Sequence, residues 1–472
     1  MRVDSCQFFA PQAWVNGAWA ANVLLTVNAS GHWSGIQPDA SLAEYPHARV
    51  LSGPVLPGLV NAHSHAFQRA IAGLTERRSD LATGDDFWRW RDRMYSVARC
   101  ITPDQLEAIA TFLYAELLAA GYTQVCEFHY LHNAADGQAH ADPLDMSLAL
   151  VRAAQRVGMG LTLLPALYMR SGFEATGLRS DQRRFASTSE SVLRLVDGVQ
   201  SQLTSCASIN VGVAIHSLRA ADEVAVQRLA TEANKRDLPV HIHIAEQTQE
   251  VQDCLFHTGQ RPIEWLLENV AVNAHWNLVH ATHTTSAELQ AVKRSGAAIV
   301  ICPSTEANLG DGVFDYPGYA RLGGNWSVGS DSHVTRSWVE ELRLLEYSQR
   351  LTQRKRNVAA QTGSNTSSAA VLFDAALASG HKATALSLGA IEVGRRADFL
   401  VLDAQAPALL GVPCDHVLDA LVFSSPQARF TDVFVAGRPV VSDGHLGNGT
   451  AGVAVWQQVK QDYVRTMQQL WT

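Results

Sequence analysis

Eight short apolar runs, separated by helix-sized intervals, constrain this chain more than any other feature. They cover Leu59–Ala62, Thr123–Phe128, Leu161–Leu167, Asn210–Ile215, Val240–Ile244, Leu278–Ala281, Ala297–Cys302 and Trp326–Gly329. Near-continuous apolar strands alternating with helices read as a parallel sheet buried on both faces. A count of eight favours closure into an α/β, TIM-like (β/α)8 barrel over an open sheet. The interval Thr102–Ala120 starts as a helix should, with Thr102 as N-cap and Pro103 in the first helical position.

The two ends have a different texture. A-W-V-N-G-A-W, N-V-L-L-T-V and A-R-V-L near the start read as short strands, with a hairpin at Asn16-Gly17. The pattern returns in R-A-D-F-L-V-L-D and T-D-V-F-V-A-G-R-P-V-V, where Ala436-Gly437 marks a second hairpin. Neither stretch can bury a core alone, so both ends are expected to build one small composite β-sandwich. The resulting division is 1–57 and 390–472 for the small domain, with 58–389 as the barrel. The stretch from Val453 to Leu470 has helical periodicity and reads as a terminal helix.

At 47% apolar and 17% charged, the 472 residues suffice for a large core. The net charge of −8 argues against a general nucleic-acid or anionic-membrane binder, although a few converging arginines can still receive an anionic substrate. Seven scattered cysteines without C-x-x-C spacing, no basic leader before an apolar segment and no 18-residue apolar run fit a cytoplasmic protein with reduced thiols.

Acidic and imidazole residues stand at the downstream ends of the runs, where barrels carry their chemistry. His63 and His65, two apart, point to one face of a strand and can chelate one ion. His241 and His243 repeat that spacing. His243 is nearer the strand end and is preferred as the ligand, leaving His241 as a supporting or core histidine. Glu246, three residues on, would face the wrong way on a continuing strand, so the chain must already have turned there; a solvated loop carboxylate is the plainer reading. His280 ends L-V-H, and a backbone-bonded core histidine is its alternative. Asp331 opens D-S-H, with His333 on the same side by period two, although helix N-capping is a common role for such an aspartate. Three histidines plus one carboxylate suit zinc or another borderline divalent ion. The third and fourth runs lack the lysine that bridges paired metals, so one ion is expected.

The motifs H-S-H, H-I-H-I-A-E, L-V-H and G-S-D-S-H resemble the amidohydrolase superfamily in its mononuclear aminohydrolase branch. G-A-I-E-V-G-R-R-A-D-F-L-V-L-D is similar to that superfamily's composite β-domain. More narrowly, N-A-H-S-H-A-F-Q-R-A, D-D-F-W-R-W-R, E-F-H-Y, I-H-S-L-R and G-Q-R-P-I-E-W-L resemble the formimidoylglutamate deiminases of histidine degradation. The resemblance implies hydrolysis of N-formimino-L-glutamate to N-formyl-L-glutamate and ammonia. It implies zinc (or iron(II)) on His63, His65, His243 and Asp331, with Glu246, His280 and Asp331 catalytic. It also implies substrate contacts from Gln68, Arg89, Tyr130, His216 and Arg219, and leaves a homodimer open. Two guanidinium forks suit a substrate with two carboxylates. From the residues alone, Arg89 reads better as part of a surface helix with Trp88 buried; His216 is open to reading as a core-edge histidine, and Gln68 as a helix-start residue. Rival functions are a guanine- or aminopyrimidine-type ring, another formimino acid such as formimino-aspartate, and a non-catalytic scaffold.

Overall fold

The computed structural model describes residues 6–77, 87–203, 208–361, 366–425, 429–447 and 449–471. Its central sheet is built from β1 (Leu59–Ser64), β2 (Tyr122–His129), β3 (Gly160–Leu167), β4 (Val213–Ile215), β5 (Val240–Ile244), β6 (Trp276–His280), β7 (Ala298–Ile301) and β8 (Asn325–Val328). Consecutive strands pair in parallel. All eight predicted runs are present. The fourth is split at Gly212, so that Ile209–Val211 and β4 pair with β3 one after the other.

The barrel closes through a single bridge, Ser64 to Asp331. Two backbone hydrogen bonds flank it, Asp331 N–H to His63 O at 3.0 Å and His65 N–H to Asp331 O at 3.3 Å. The Asn61 side chain extends this joint. It accepts from Ser330 N–H at 2.9 Å and donates to Ser330 Oγ at 2.7 Å, as a further rung of ladder would.

The helices that position the site are α1 (Phe87–Ala98), α2 (Pro103–Ala119), α3 (Thr248–Thr258), α4 (Pro303–Leu309) and α5 (Gly449–Trp471). Thr102 caps α2, and the Gln105 side chain returns to the Thr102 N–H, a full capping box. The terminal helix α5 packs against the turn that follows β1. Arg69 Nη1 donates to Tyr463 Oη at 3.0 Å, and Trp471 Nε1 donates to the Ala70 carbonyl at 3.1 Å.

Strands from the two ends of the chain share one second sheet. Val55–Pro57 links them, pairing parallel with Cys6–Val15 and antiparallel with Phe399–Leu402. The sheet curls on itself. Trp33 and Phe399 come within 5.4 Å although three strands separate theirs in the sheet order, and Phe8 joins them 5.2 Å from Phe399. Asn16 (φ 52°) with Gly17 (φ 76°), and Ala436 (φ 50°) with Gly437 (φ 72°), give the left-handed pairs that two-residue hairpins require. Among the described residues no helix is long and apolar enough to cross a membrane, and no cysteine is paired.

Candidate metal centre and active site

Four side chains from the first, fifth and eighth strands converge at the downstream end of the barrel. His243 Nε2 lies 3.0 Å from His63 Nε2 and 3.3 Å from His65 Nε2. Asp331 Oδ1 is 3.4 Å from both His63 Nε2 and His65 Nε2. The Nδ1 atoms of His65 and His243 face backbone carbonyls, Phe128 O at 2.9 Å and His216 O at 2.8 Å. Both rings therefore donate through Nδ1 and turn an Nε2 lone pair inward. Burial, reinforced by neighbouring histidines, drives the pKa of His63 and His243 well below the usual value and keeps them neutral. Neutral nitrogens facing each other so closely repel unless a cation sits among them. The separations are those of donors each about 2.0–2.2 Å from a shared ion. The residues fit a borderline divalent metal.

Backbone conformation at the strand ends places the remaining groups. Ala245 adopts φ 53°, which breaks β5 and swings Glu246 over the cluster. Glu250, on α3, holds this turn by accepting the Ala245 and Glu246 N–H groups, each at 3.1 Å. Left-handed φ recurs at His280 (68°), Ala281 (51°), Asp331 (45°) and His333 (62°). Non-glycine residues in this region mark local strain, which collects at functional sites. His280 Nε2 stands 3.6 Å from Glu246 Oε1 and 3.8 Å from Asp331 Oδ2. Burial raises the Glu246 pKa to about 7; His280 opposes the shift, while Asp331 and Glu250 add to it. Burial works against a charged His280, but Glu246, the Glu306 hydrogen bond and Asp331 outweigh it and raise its pKa to about 10.

A cavity above these groups is lined by Gln68, Tyr130, His216 and Arg219, as the sequence suggested. Gln68 Nε2 reaches Tyr130 Oη at 3.4 Å. Burial raises the Tyr130 pKa, so the phenol stays neutral and can donate. Arg219 is buried; desolvation works against its charge, and the phenols of Tyr168 and Tyr95 with the carboxylates of Glu250 and Glu246 more than offset it. Arg89 differs from expectation. It is exposed and outside the lining, whereas Arg91 lines the cavity. Residues two apart on a helix face nearly opposite ways, so α1 can present only one of the pair. Desolvation lowers the Arg91 pKa, and Arg219 pushes in the same direction. The Trp88 side chain, invoked above, lies outside the described residues.

His241 points away from the cluster, with Nε2 at 2.9 Å from the Ala383 carbonyl, and burial lowers its pKa to about 4. His333 does not join Asp331, because the positive φ turns it. Its Nδ1 lies 3.0 Å from Ser330 Oγ and its Nε2 3.3 Å from Ser64 Oγ. Ser64 in turn donates to Glu127 at 2.7 Å, and Glu127 also accepts the Ala66 N–H and, at 3.1 Å, the Tyr114 hydroxyl. This network fixes the H-S-H segment from behind. Sequence reasoning missed it, along with Arg91, Glu250 and Glu306. The signal for Glu127 was a carboxylate inside an otherwise apolar strand; the signal for Glu306 was an acid just past the end of β7.

Residues 55–440 match the amidohydrolase family model, and the chain belongs to the amidohydrolase family. A solved amidohydrolase from Brucella melitensis is 39% identical, covering 99% of this chain and 100% of its own, with a TM-score of 0.90. Formimidoylglutamate deiminase of Pseudomonas aeruginosa is 48% identical over 442 residues, which are 93% of this chain and 95% of that protein. An adenosine deaminase from Xanthomonas campestris, solved with bound zinc, shares the fold at 22% identity and a TM-score of 0.77, covering 98% of each chain.

Proposed function

We propose that this chain is a zinc-dependent deiminase that hydrolyses N-formimino-L-glutamate to N-formyl-L-glutamate and ammonia, a step of histidine breakdown. The observation that carries the substrate is the pairing of Arg91 and Arg219 around one cavity directly above the imidazole–carboxylate cluster. Two guanidinium groups forced together in a desolvated space repel each other, and a ligand with two carboxylates relieves that repulsion. A neutral ring does not. The 48% identity to the Pseudomonas deiminase supports the same substrate.

His63, His65, His243 and Asp331 would hold a single ion. Neither β3 nor β4 contains a lysine, which supports one ion over two. Zinc, when bound, supplies Lewis acidity and lowers the pKa of a coordinated water to about 7. Arg219 and Arg91 hold the glutamyl carboxylates, and Gln68, Tyr130 and His216 orient the chain between them. A divalent ion in the cluster would oppose a second positive charge on His280, leaving its Nε2, with Asp331 Oδ2, to take the proton from the attacking water. Glu246, with its pKa raised into the working range, donates to the imino nitrogen and makes the formimino carbon electrophilic. His280 then returns its proton to the amino nitrogen, the C–N bond breaks as ammonia leaves, and the hydroxyl proton passes to Glu246 as the formyl carbonyl forms.

The test is ammonia release by purified, zinc-loaded protein on N-formimino-L-glutamate, beside formimino-aspartate, guanine and cytosine. Turnover of the glutamate compound alone is the expected result. Turnover of a ring with silence on the glutamate compound would remove the substrate assignment, and zinc that fails to bind at one equivalent would remove the metal assignment.

A further inference from the structure

Glu306 takes no part in the cluster or the cavity lining, yet it is buried against the one catalytic histidine that binds no ion. It lies on α4, past the end of β7, next to the strand that carries His280. Its Oε1 is 3.3 Å from His280 Nδ1 and 2.8 Å from the Cys302 amide nitrogen. The opposite edge of the same ring faces Glu246 and Asp331. The ring plane is set by stacking on His243, with centroids 5.6 Å apart and planes 14° from parallel.

We propose that Glu306 is a positioning residue for the deimination, fixing the tautomer and direction of His280 so that Nε2 is the atom that takes the water's proton. Glu306 Oε1 already accepts the Cys302 N–H, so the same oxygen meets Nδ1 as an acceptor and the ring proton lies there. With Nδ1–H committed to Glu306, Nε2 is the ring position left to exchange a proton, and it faces the reacting groups. When Nε2 gains a proton, the hydrogen bond from Nδ1 to Glu306 stabilises the resulting imidazolium. A buried aspartate does the same for the histidine of a serine-protease triad.

Two other readings of Glu306 fit the geometry less well. Its bond to the Cys302 N–H also caps α4, but a cap does not need the second partner. His280, Cys302 and Glu306 are close enough to form a metal site, but burial keeps the Cys302 thiol protonated and unsuited as a ligand.

The proposal rests on the deiminase reading, and its test separates the two. Glu306→Gln keeps an oxygen for the Cys302 amide and removes only the charge that orders His280. In the zinc-loaded variant kcat should fall on the order of 10–1000-fold, with KM within about threefold and zinc content unchanged. In ¹⁵N-histidine-labelled zinc protein, the His280 Nδ1–H signal, assigned by its loss in His280→Asn, should be present and should shift or vanish in Glu306→Gln. Turnover of Glu306→Gln within threefold of wild type, loss of zinc, or a His280 that carries its proton at Nε2 and none at Nδ1 in the wild-type zinc protein would each overturn it. A wild-type protein inert on formimino-glutamate would instead defeat the substrate reading, and the tautomer spectrum would still decide the role of Glu306.

Discussion

Gly329 stands where the last strand meets the first, and Gly329→Ala tests whether that meeting sets the metal geometry. A Cβ added there would lie 2.6 Å from His63 Cβ and 2.9 Å from both the His63 nitrogen and carbonyl oxygen. Most of what it meets is backbone of a ligand residue, so no flexible side chain can absorb the clash. Overpacking of this kind costs about 1–3 kcal/mol. At about 2.1 cal/mol/K per residue, the 472-residue chain has an unfolding entropy of about 1 kcal/mol/K. The melting temperature should therefore drop only by about 1–3 °C. Function should suffer far more. His63 and Asp331 must separate by a few tenths of an ångström, and misplacement on the ångström scale costs about 100-fold. We expect zinc affinity and kcat each to fall roughly 10–100-fold, measured by competition with a chelator and by ammonia release. Gly172→Ala, with nothing within 4 Å of the added carbon, is the control and should match wild type. A Gly329→Ala protein with full zinc occupancy and turnover within threefold of wild type would refute the reasoning.

Three more outcomes follow from the site. Arg91→Met should raise KM for the glutamyl substrate at least about tenfold while Arg89→Met stays near wild type; steady-state kinetics giving the reverse order would mean that α1 turns its other face inward when substrate binds. Glu246→Gln should keep its zinc and lose about 10²–10⁴-fold in kcat, and wild-type-like turnover would remove its assigned role. Burial raises the Glu127 pKa to about 8, so the folded chain holds that proton while an unfolded carboxyl loses it near 4.5. Its contribution to stability is complete below about 4.5 and is lost as pH rises through about 8. Metal-free Glu127→Gln should therefore lose less stability than wild type between pH 5 and 9, by a few kcal/mol at most, as read from denaturant midpoints. Equal losses in the two proteins would contradict this.

The barrel was legible because its strands are apolar on both faces and stand out between helices. The candidate ligands were legible because barrel chemistry collects at one end of each strand, and the side chains of His63, His65, His243 and Asp331 do converge there. What escaped depends on helix phase and on contacts between neighbouring strands. The choice between Arg89 and Arg91 turns on how α1 is rotated, and its sequence offers basic and aromatic residues on several faces. Glu306 and His280 lie 26 positions apart and touch only because β6 and β7 are neighbours. His333 followed the strand rule on paper, but the chain had left strand geometry by Asp331, where φ is already positive.

The joint between β8 and β1 has one bridged residue pair, whereas the pairings on either side of it have several each. Three of the four candidate metal donors, His63, His65 and Asp331, sit on the two sides of that joint. An ion held there acts as a rivet through the weakest join in the barrel wall. An ion that bound only the closed form would add its affinity to the barrel's resistance to opening, about 4.1 kcal/mol at a free concentration 1,000 times the dissociation constant. Metal supply would then govern how long the protein survives as well as whether it works, and a metal-starved molecule should open first along β1 and β8.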